Sequence, residues 1–118
     1  MEADTQFNVS TEHGVSVVQV IGDLDYSNIA TFRSTISELT EKGEKQVVLD
    51  MAAVGFMDSS GMAGIVFAIR RLSAVAGRLA LANCSAQITR KLDISGLTKM
   101  PDAPSLFASL EEALQSFQ

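Results

Sequence analysis

Apolar and polar residues change their spacing along the chain, and these changes predict alternating strands and helices. Gln46 to Met51 is an apolar run with little polar interruption, which is typical of a strand buried on both faces. From about Ser59 to Ala76 the spacing becomes helical, and Gly77 marks the end of that helix. The inward stripe of this helix is predicted to contain Met62, Ile65, Val66, Ile69, Leu72 and Val75.

The residues before this strand predict a hairpin and a helix. Gln6–Ser10 and Val15–Ile21 are strand candidates separated by a turn that contains Gly14, so they are expected to pair antiparallel. A helix should follow, capped by Asp25 or Ser27. Its apolar face is formed by Ile29, Phe32, Ile36 and Leu39, and Gly43 ends it.

Shorter elements are predicted after the long helix. Arg78–Ala82 has the composition of a strand, and Ser85 can cap a short helix that ends at Gly96. Leu97–Met100 is predicted as an edge strand, and a last amphipathic helix is predicted from about Ser105.

Together these elements predict an α/β fold with one mixed β-sheet and about four α-helices. The N-terminal hairpin makes the first edge antiparallel, and the strand-helix-strand units make the rest parallel. Sites in such sheets form at the carboxyl ends of the parallel strands. Gly22–Asp25 and Met51–Ser59 both follow strands at that end, so we expect them to form one continuous patch.

Composition and charge exclude some of the classes to which this protein could belong. The 118 residues are 47% apolar and 19% charged, which fits a single domain over residues 1–118. A net charge of −5 argues against nucleic-acid binding. The lone Cys84 fits a reducing compartment and is predicted to be a buried, inert thiol. Met1–Ser10 does not resemble a signal peptide, and no apolar run reaches membrane-spanning length, so we expect a cytoplasmic protein without membrane insertion.

Two functions are open for the segment that joins the buried strand to the long helix. Asp58 and the serines after it can simply cap the helix, because their side-chain oxygens accept free backbone N–H groups. Alternatively, the exposed hydroxyl of Ser59 can carry a reversible phosphate at the positive end of the helix dipole. Such a phosphate would add about −1.5 to −2 charge beside Asp58 and repel a partner fitted to the neutral hydroxyl.

The first two turns of the long helix carry no charge. Either more protein covers them, or they form a flat docking surface in which Gly61, Ala63 and Gly64 permit close approach. Met62 and Phe67 can be core residues or interface anchors.

Three sequence blocks resemble a known family. F-M-D-S-S-G at 56–61, G-D-L-D at 22–25 and K-L-D-I-S-G-L-T-K at 91–99 are similar to the bacterial anti-sigma factor antagonists of the STAS family, in the family's order and over most of the chain. The resemblance implies a single STAS-like domain that is not an enzyme and needs no cofactor or metal.

The resemblance also implies a partner-switching mechanism. The unphosphorylated antagonist binds an anti-sigma factor, a serine kinase of the histidine-kinase-like ATPase superfamily, and so releases a sigma factor. The kinase phosphorylates the serine that corresponds to Ser59, and a PP2C-type phosphatase restores the free hydroxyl. The residues expected to contact the partner are Asp23, Asp25, Asp58, Ser60, Gly61, Met62 and Ala63.

Other classes of protein are alternative explanations of the same residues. An α/β-hydrolase would need a glycine where Met57 stands, and no nucleotide-binding motif is present. A response-regulator receiver could use Asp23, Asp25 and Asp50 as an acidic pocket, although a first hairpin would break its parallel strand order. The main alternative is a STAS regulatory subunit of a stressosome, a transporter or a lipid-trafficking complex, without direct control of a sigma factor.

Overall fold

The computed structural model describes residues 4–118, which form one five-stranded sheet and its helices. The strands are β1 (Gln6–Glu12), β2 (Val15–Ile21), β3 (Gln46–Ala53), β4 (Arg78–Ala82) and β5 (Ser105–Phe107). The α-helices are α1 (Ile29–Glu41), α2 (Ser59–Ser73), α3 (Ala86–Ile94) and α4 (Leu110–Gln115), and Leu97–Lys99 forms a short 3₁₀ helix.

The strands lie in sequence order across the sheet. β1 and β2 pair antiparallel, and β2, β3, β4 and β5 pair parallel. The first pair is joined by a tight turn in which His13 and Gly14 both have positive φ, the geometry that suits a two-residue hairpin. The predicted mixed sheet is therefore confirmed, and its antiparallel first pair differs from the all-parallel order of a receiver domain.

Both faces of the sheet are covered, but unequally. Alternate residues of β3 point to opposite sides: Val47, Leu49 and Met51 belong to the large core beneath α1, α2 and α3, whereas Val48 belongs to a smaller cluster beneath α4. This arrangement explains why Val47, Val48 and Leu49 form an apolar run without polar alternation, because a strand between two layers has no solvent face.

The prediction for the C-terminal region was wrong in two places. Leu97–Lys99 is a 3₁₀ helix with Leu97 buried, not an edge strand. The edge strand is Ser105–Phe107, where the sequence pattern predicts the start of a helix. This segment pairs with β4 between Ala80 and Ala82, so an available sheet edge overrides the helical spacing of its apolar residues.

The helix caps were predicted with mixed success. Ser85 caps α3 by accepting a hydrogen bond from the backbone N–H of Ile88 at 3.2 Å, as predicted. Asn28, not Asp25 or Ser27, occupies the N-cap position of α1, and its side chain makes no capping bond there. Asp25 instead accepts hydrogen bonds from the backbone N–H and hydroxyl of Ser27, which fixes the loop before the helix.

Within residues 4–118, every helix falls short of the combination of length and apolarity that crossing a membrane requires.

Candidate functional site

Two loops at the carboxyl end of the sheet are joined by backbone hydrogen bonds. The Leu24 N–H donates to the carbonyl of Phe56 at 3.0 Å, and the Asp58 N–H donates to the carbonyl of Leu24 at 3.3 Å. Leu24 and Met57 form an isolated parallel bridge between them. The predicted continuous patch is therefore confirmed, because the loop after β2 and the loop after β3 extend the sheet beyond its regular strands.

Asp58 connects the second loop, the first loop and α2. Its Oδ1 accepts the backbone N–H of Gly61 at 2.9 Å, which caps α2, and its Oδ2 accepts the backbone N–H of Tyr26 at 3.2 Å. The hydrogen bond from Gly61 is the main cause that lowers the pKa of the Asp58 carboxyl, and the one from Tyr26 acts in the same direction. Asp58 is therefore ionised at neutral pH. Its carboxylate caps α2 and also joins the loop after β3 to the loop after β2.

Ser59 is the first residue of α2, and its side chain is exposed. Ser60, the next residue, is half-buried. Between the two serines, the hydroxyl of Ser59 is thus the more accessible to a second protein.

An acidic cavity lies on the α1 side of the patch. It has a volume of about 620 Å³, and its lining residues are mostly polar: Asp4, Thr5, Asp23, Asp25, Ser27, Asn28 and Thr31. No group of three or more histidine, cysteine or acidic side chains in residues 4–118 is arranged to hold a metal ion. Asp50 is buried in β3, where it accepts hydrogen bonds from the Ala52 N–H and the Asn83 side chain. The acidic pocket expected of a receiver is therefore not formed by Asp23, Asp25 and Asp50 within the described chain.

A second cavity lies between α2 and α3, on the other side of Ser59. It has a volume of about 260 Å³ and is lined mainly by apolar and small side chains: Met57, Asp58, Ser59, Met62, Lys91, Ile94 and Ser95. The Lys91 ammonium donates to the Met57 carbonyl at 2.6 Å and lies 4.3 Å from the centre of the Phe56 ring. α3 is thereby tied directly to the loop that carries Asp58.

Three large apolar side chains are exposed around this site. Tyr26 is 78% exposed, Phe56 is 48% exposed and Ile94 is 79% exposed. The sequence patterns predict no individual role for Lys91 or Ile94, although both lie in the block at 91–99. The available signal was helical phase: Ile88 and Leu92 form the buried stripe of α3, so an isoleucine at 94 falls outside it.

The small residues at the start of α2 do not all face outward. Gly61 and Gly64 are buried. A Cβ on Gly61 would overlap the backbone carbonyl of Leu24, and a Cβ on Gly64 would overlap the side chain of Ile29. Of the two alternatives open for this stretch, coverage by more protein applies to these two glycines, because they leave room for the protein's own loop and α1.

The other residues expected at the partner surface differ in accessibility. Asp23 and Ala63 are exposed, whereas Asp25, Asp58, Ser60 and Met62 are half-buried. An external protein could therefore touch Ala63 directly, but it could reach Gly61 only through backbone or neighbouring atoms.

Cys84 is half-buried, whereas the sequence predicts a buried residue. Burial and the nearby Asp50 carboxylate raise the pKa of its thiol to about 11. The thiol is therefore protonated at neutral pH, which agrees with the predicted lack of reactivity.

Comparison with known proteins shows similarity over nearly the whole described chain. The STAS domain family model matches residues 6–113. An anti-sigma F factor antagonist from Lysinibacillus sphaericus is 33% identical over 82 residues, which are 69% of this chain and 70% of that protein. An anti-sigma F factor antagonist from Paenibacillus polymyxa is 28% identical over 96 residues, which are 80% of this chain and 82% of that protein.

A solved structure has the same fold. The Bacillus cell fate determinant SpoIIAA in its phosphorylated form superposes with a TM-score of 0.75 and 28% sequence identity. The superposition covers 96% of this chain and 100% of that structure's chain. The family match over residues 6–113 includes all five strands and the loop that carries Ser59.

Proposed function

The chain belongs to the STAS domain family, and on that premise we propose that it is an anti-sigma factor antagonist switched by phosphorylation at Ser59. In this proposal the unphosphorylated protein binds an anti-sigma factor and thereby releases a sigma factor. The anti-sigma factor is a serine kinase of the histidine-kinase-like ATPase superfamily. Its phosphorylation of Ser59 ends the interaction, and a PP2C-type phosphatase reverses the modification.

The observation that carries the proposal is the exposed Ser59 side chain within the patch formed by the two joined loops. A kinase substrate must present its hydroxyl to solvent, and a switch needs the same hydroxyl inside the partner interface. Exposed apolar groups beside it, Tyr26 and Phe56, provide the kind of surface that protein partners bury. Phosphorylation of Ser59 and binding of the anti-sigma factor would then exclude each other, because both use the surface around this hydroxyl.

The charges around Ser59 favour a switch. Asp58 is ionised, and Asp23 and Asp25 line the neighbouring acidic cavity. A phosphate on Ser59 would add about −1.5 to −2 charge to this existing negative group. A partner that places cationic or neutral groups against the unmodified patch would face a changed charge and a bulkier side chain after phosphorylation.

The relatives support the same function. The two similar proteins from Lysinibacillus and Paenibacillus are anti-sigma F factor antagonists, and SpoIIAA is a protein that exists in a phosphorylated form. We propose that the remaining contact residues are Asp23, Asp25, Asp58, Ser60, Met62 and Ala63, with Gly61 contributing by shaping the loop.

The first experiment is affinity capture with the unmodified protein in its native cells. The captured proteins are identified, the candidate kinase is purified, and the pair is incubated with ATP while mass spectrometry follows each serine. We expect a small ATPase that phosphorylates Ser59 stoichiometrically and then dissociates. Recovery of transport or stressosome subunits, with Ser59 unmodified, would replace this proposal with the regulatory-subunit alternative.

Substitutions of Ser59 and Ser60 show which of the two serines accepts the phosphate. Ser59→Ala should remain bound to the purified kinase in the presence of ATP, and Ser59→Asp should bind at least about tenfold more weakly, a loss of about 1.4 kcal/mol. Ser60→Ala is the matched control and should still be phosphorylated and released. Stoichiometric phosphorylation of the Ser59→Ala protein at Ser60 would move the assignment by one residue.

A further inference from the structure

Lys91 places a positive charge in the cavity between α2 and α3, which Ser59 also lines. Of the seven residues that line this cavity, only Lys91 carries a positive charge, and Asp58 is the only acidic one. The remaining lining is apolar or hydroxyl-bearing. An anionic group attached to Ser59 and turned toward α3 would therefore meet the Lys91 ammonium.

The Lys91 ammonium has hydrogen-bonding capacity left for such a group. It carries three N–H donors, and one of them is used by the Met57 carbonyl at 2.6 Å. The contact with the Phe56 ring holds its position without forming a hydrogen bond to an oxygen. In residues 4–118 the ammonium forms no ion pair, since the salt bridge of the described chain joins Arg71 and Glu41.

The two sides of Ser59 differ in charge. Toward α1 lie Asp23 and Asp25, and directly at the helix start lies the ionised Asp58. Toward α3 lies Lys91, with Arg90 lining the next groove along the same helix. Electrostatics therefore direct a dianion on Ser59 away from the acidic cavity and toward α3.

We infer that Lys91 holds the phosphate of phosphorylated Ser59 in the cavity between α2 and α3. The apolar side chains of Met62 and Ile94 line the same cavity. The phosphorylated protein fills it with its own dianion. Lys91 is then the residue that positions the phosphate.

This inference rests on the proposed phosphorylation of Ser59, but it can be tested without any kinase or partner. Phosphoserine is incorporated at position 59 during protein synthesis, and the second ionisation of the phosphate is followed by ³¹P NMR as a function of pH. An unpaired phosphoserine titrates near pH 6, and a nearby cation lowers that pKa because it favours the dianion.

The decisive variant is Lys91→Gln, which removes the charge but keeps an N–H donor for the Met57 carbonyl. We expect the phosphate pKa to rise by at least about half a pH unit relative to the unsubstituted chain. Lys91→Arg should keep the low value because it keeps a cation. Arg90→Gln removes the same charge from the adjacent residue outside the cavity and should raise the pKa by less than about 0.2 pH unit.

The outcomes separate this inference from the proposed function. An unchanged phosphate pKa in Lys91→Gln, or an equal rise in Arg90→Gln, would overturn the contact, even if a kinase is later found to modify Ser59. If Lys91→Gln does not fold, the ¹³Cε resonance of Lys91 in the unsubstituted phosphoprotein decides the question. It must titrate with the midpoint of the phosphate, and a resonance that does not move would also overturn the inference.

Discussion

The inner and outer faces of the first two turns of α2 are both built from small residues, yet they have different roles. Gly61 and Gly64 face inward and are buried, whereas Ser59 and Ala63 are exposed. The inner pair lies against Leu24 and Ile29, which leave no space for a Cβ. The outer pair faces solvent, and the exposed Phe56 and Tyr26 rings belong to the two loops that are joined at the start of the helix. Small size therefore serves internal packing on one face and accessibility on the other.

The two faces of the helix are nevertheless coupled. The loop that packs against Gly61 through the Leu24 carbonyl is the loop whose Tyr26 N–H binds Asp58. Close packing on the inner face thus sets the position of the residue that precedes Ser59. Substitutions on the inner face should act on stability, and substitutions on the outer face should act on binding.

The largest expected effect is that of Gly61→Ala. The added Cβ would overlap the Leu24 carbonyl, a backbone atom that can move only with its whole loop. We expect the free energy of unfolding to fall by about 3 kcal/mol, more than the gain of about 1 kcal/mol from helix propensity can offset. Urea unfolding measures the change.

The matched control for Gly61→Ala is Gly55→Ala in the preceding loop. A Cβ on Gly55 would have Asp23 as its nearest neighbour, at 3.9 Å, which is an ordinary contact. Its stability should stay within about 0.5 kcal/mol of the unsubstituted protein. Equal stability of the two variants would contradict the assignment of Gly61 to a closely packed inner face.

Charge on the outer face should affect binding alone. Ala63→Glu places a carboxylate on an exposed position of the proposed interface, so we expect at least a tenfold loss of affinity for the purified kinase, or about 1.4 kcal/mol. Stability should change by less than about 0.5 kcal/mol. Titration calorimetry and urea unfolding together separate these effects.

Ser73→Glu is the control for Ala63→Glu, because Ser73 is exposed at the opposite end of the same helix. It should bind the kinase normally. Loss of folding in Ala63→Glu would show that this face is part of the core, and equal weakening by both variants would show that the effect is one of net charge.

Gly64→Ala should be milder than Gly61→Ala, since its new Cβ meets the end of the half-buried Ile29 side chain, which can move. We expect a loss of about 1 kcal/mol. Ile29→Val removes the clashing methyl group, so the double variant should recover at least about 0.5 kcal/mol relative to the sum of the single changes. Strict additivity would mean that Ile29 is not what limits the space at Gly64.

The smallest effect concerns Asp58 and pH. Its pKa is lowered in the folded protein, so its carboxylate stabilises the fold above the ordinary carboxyl value of 3.8, and this contribution is lost as the pH falls through the lowered pKa. Asp58→Asn should therefore lower the melting temperature at pH 7, and the difference from the unsubstituted protein should shrink below pH 3.8. Asp23→Asn, at an exposed position, is the control. A difference that is constant with pH would mean that the charge of Asp58 does not contribute.

Features that depend on neighbouring residues could be predicted from the sequence. The apolar run of β3, the hairpin turn at Gly14, the helical stripe of α2 and the capping chemistry of Asp58 are all local patterns. The parallel strand order then followed from the alternation of elements, and with it the meeting of the two loops at the carboxyl end of the sheet. The fold and the position of the candidate site could therefore be predicted.

Which distant atoms lie opposite one another depends on the packing of the folded chain. Local spacing could not show that Ser105–Phe107 completes the sheet, because that depends on the free edge of β4. Composition could not show that Leu24 and Ile29 fill the space beside Gly61 and Gly64. Nor could it place Lys91 beside Ser59, since these residues are 32 positions apart and meet only because α3 packs next to α2. Contacts between distant segments depend on the whole packed chain, which a local pattern does not contain.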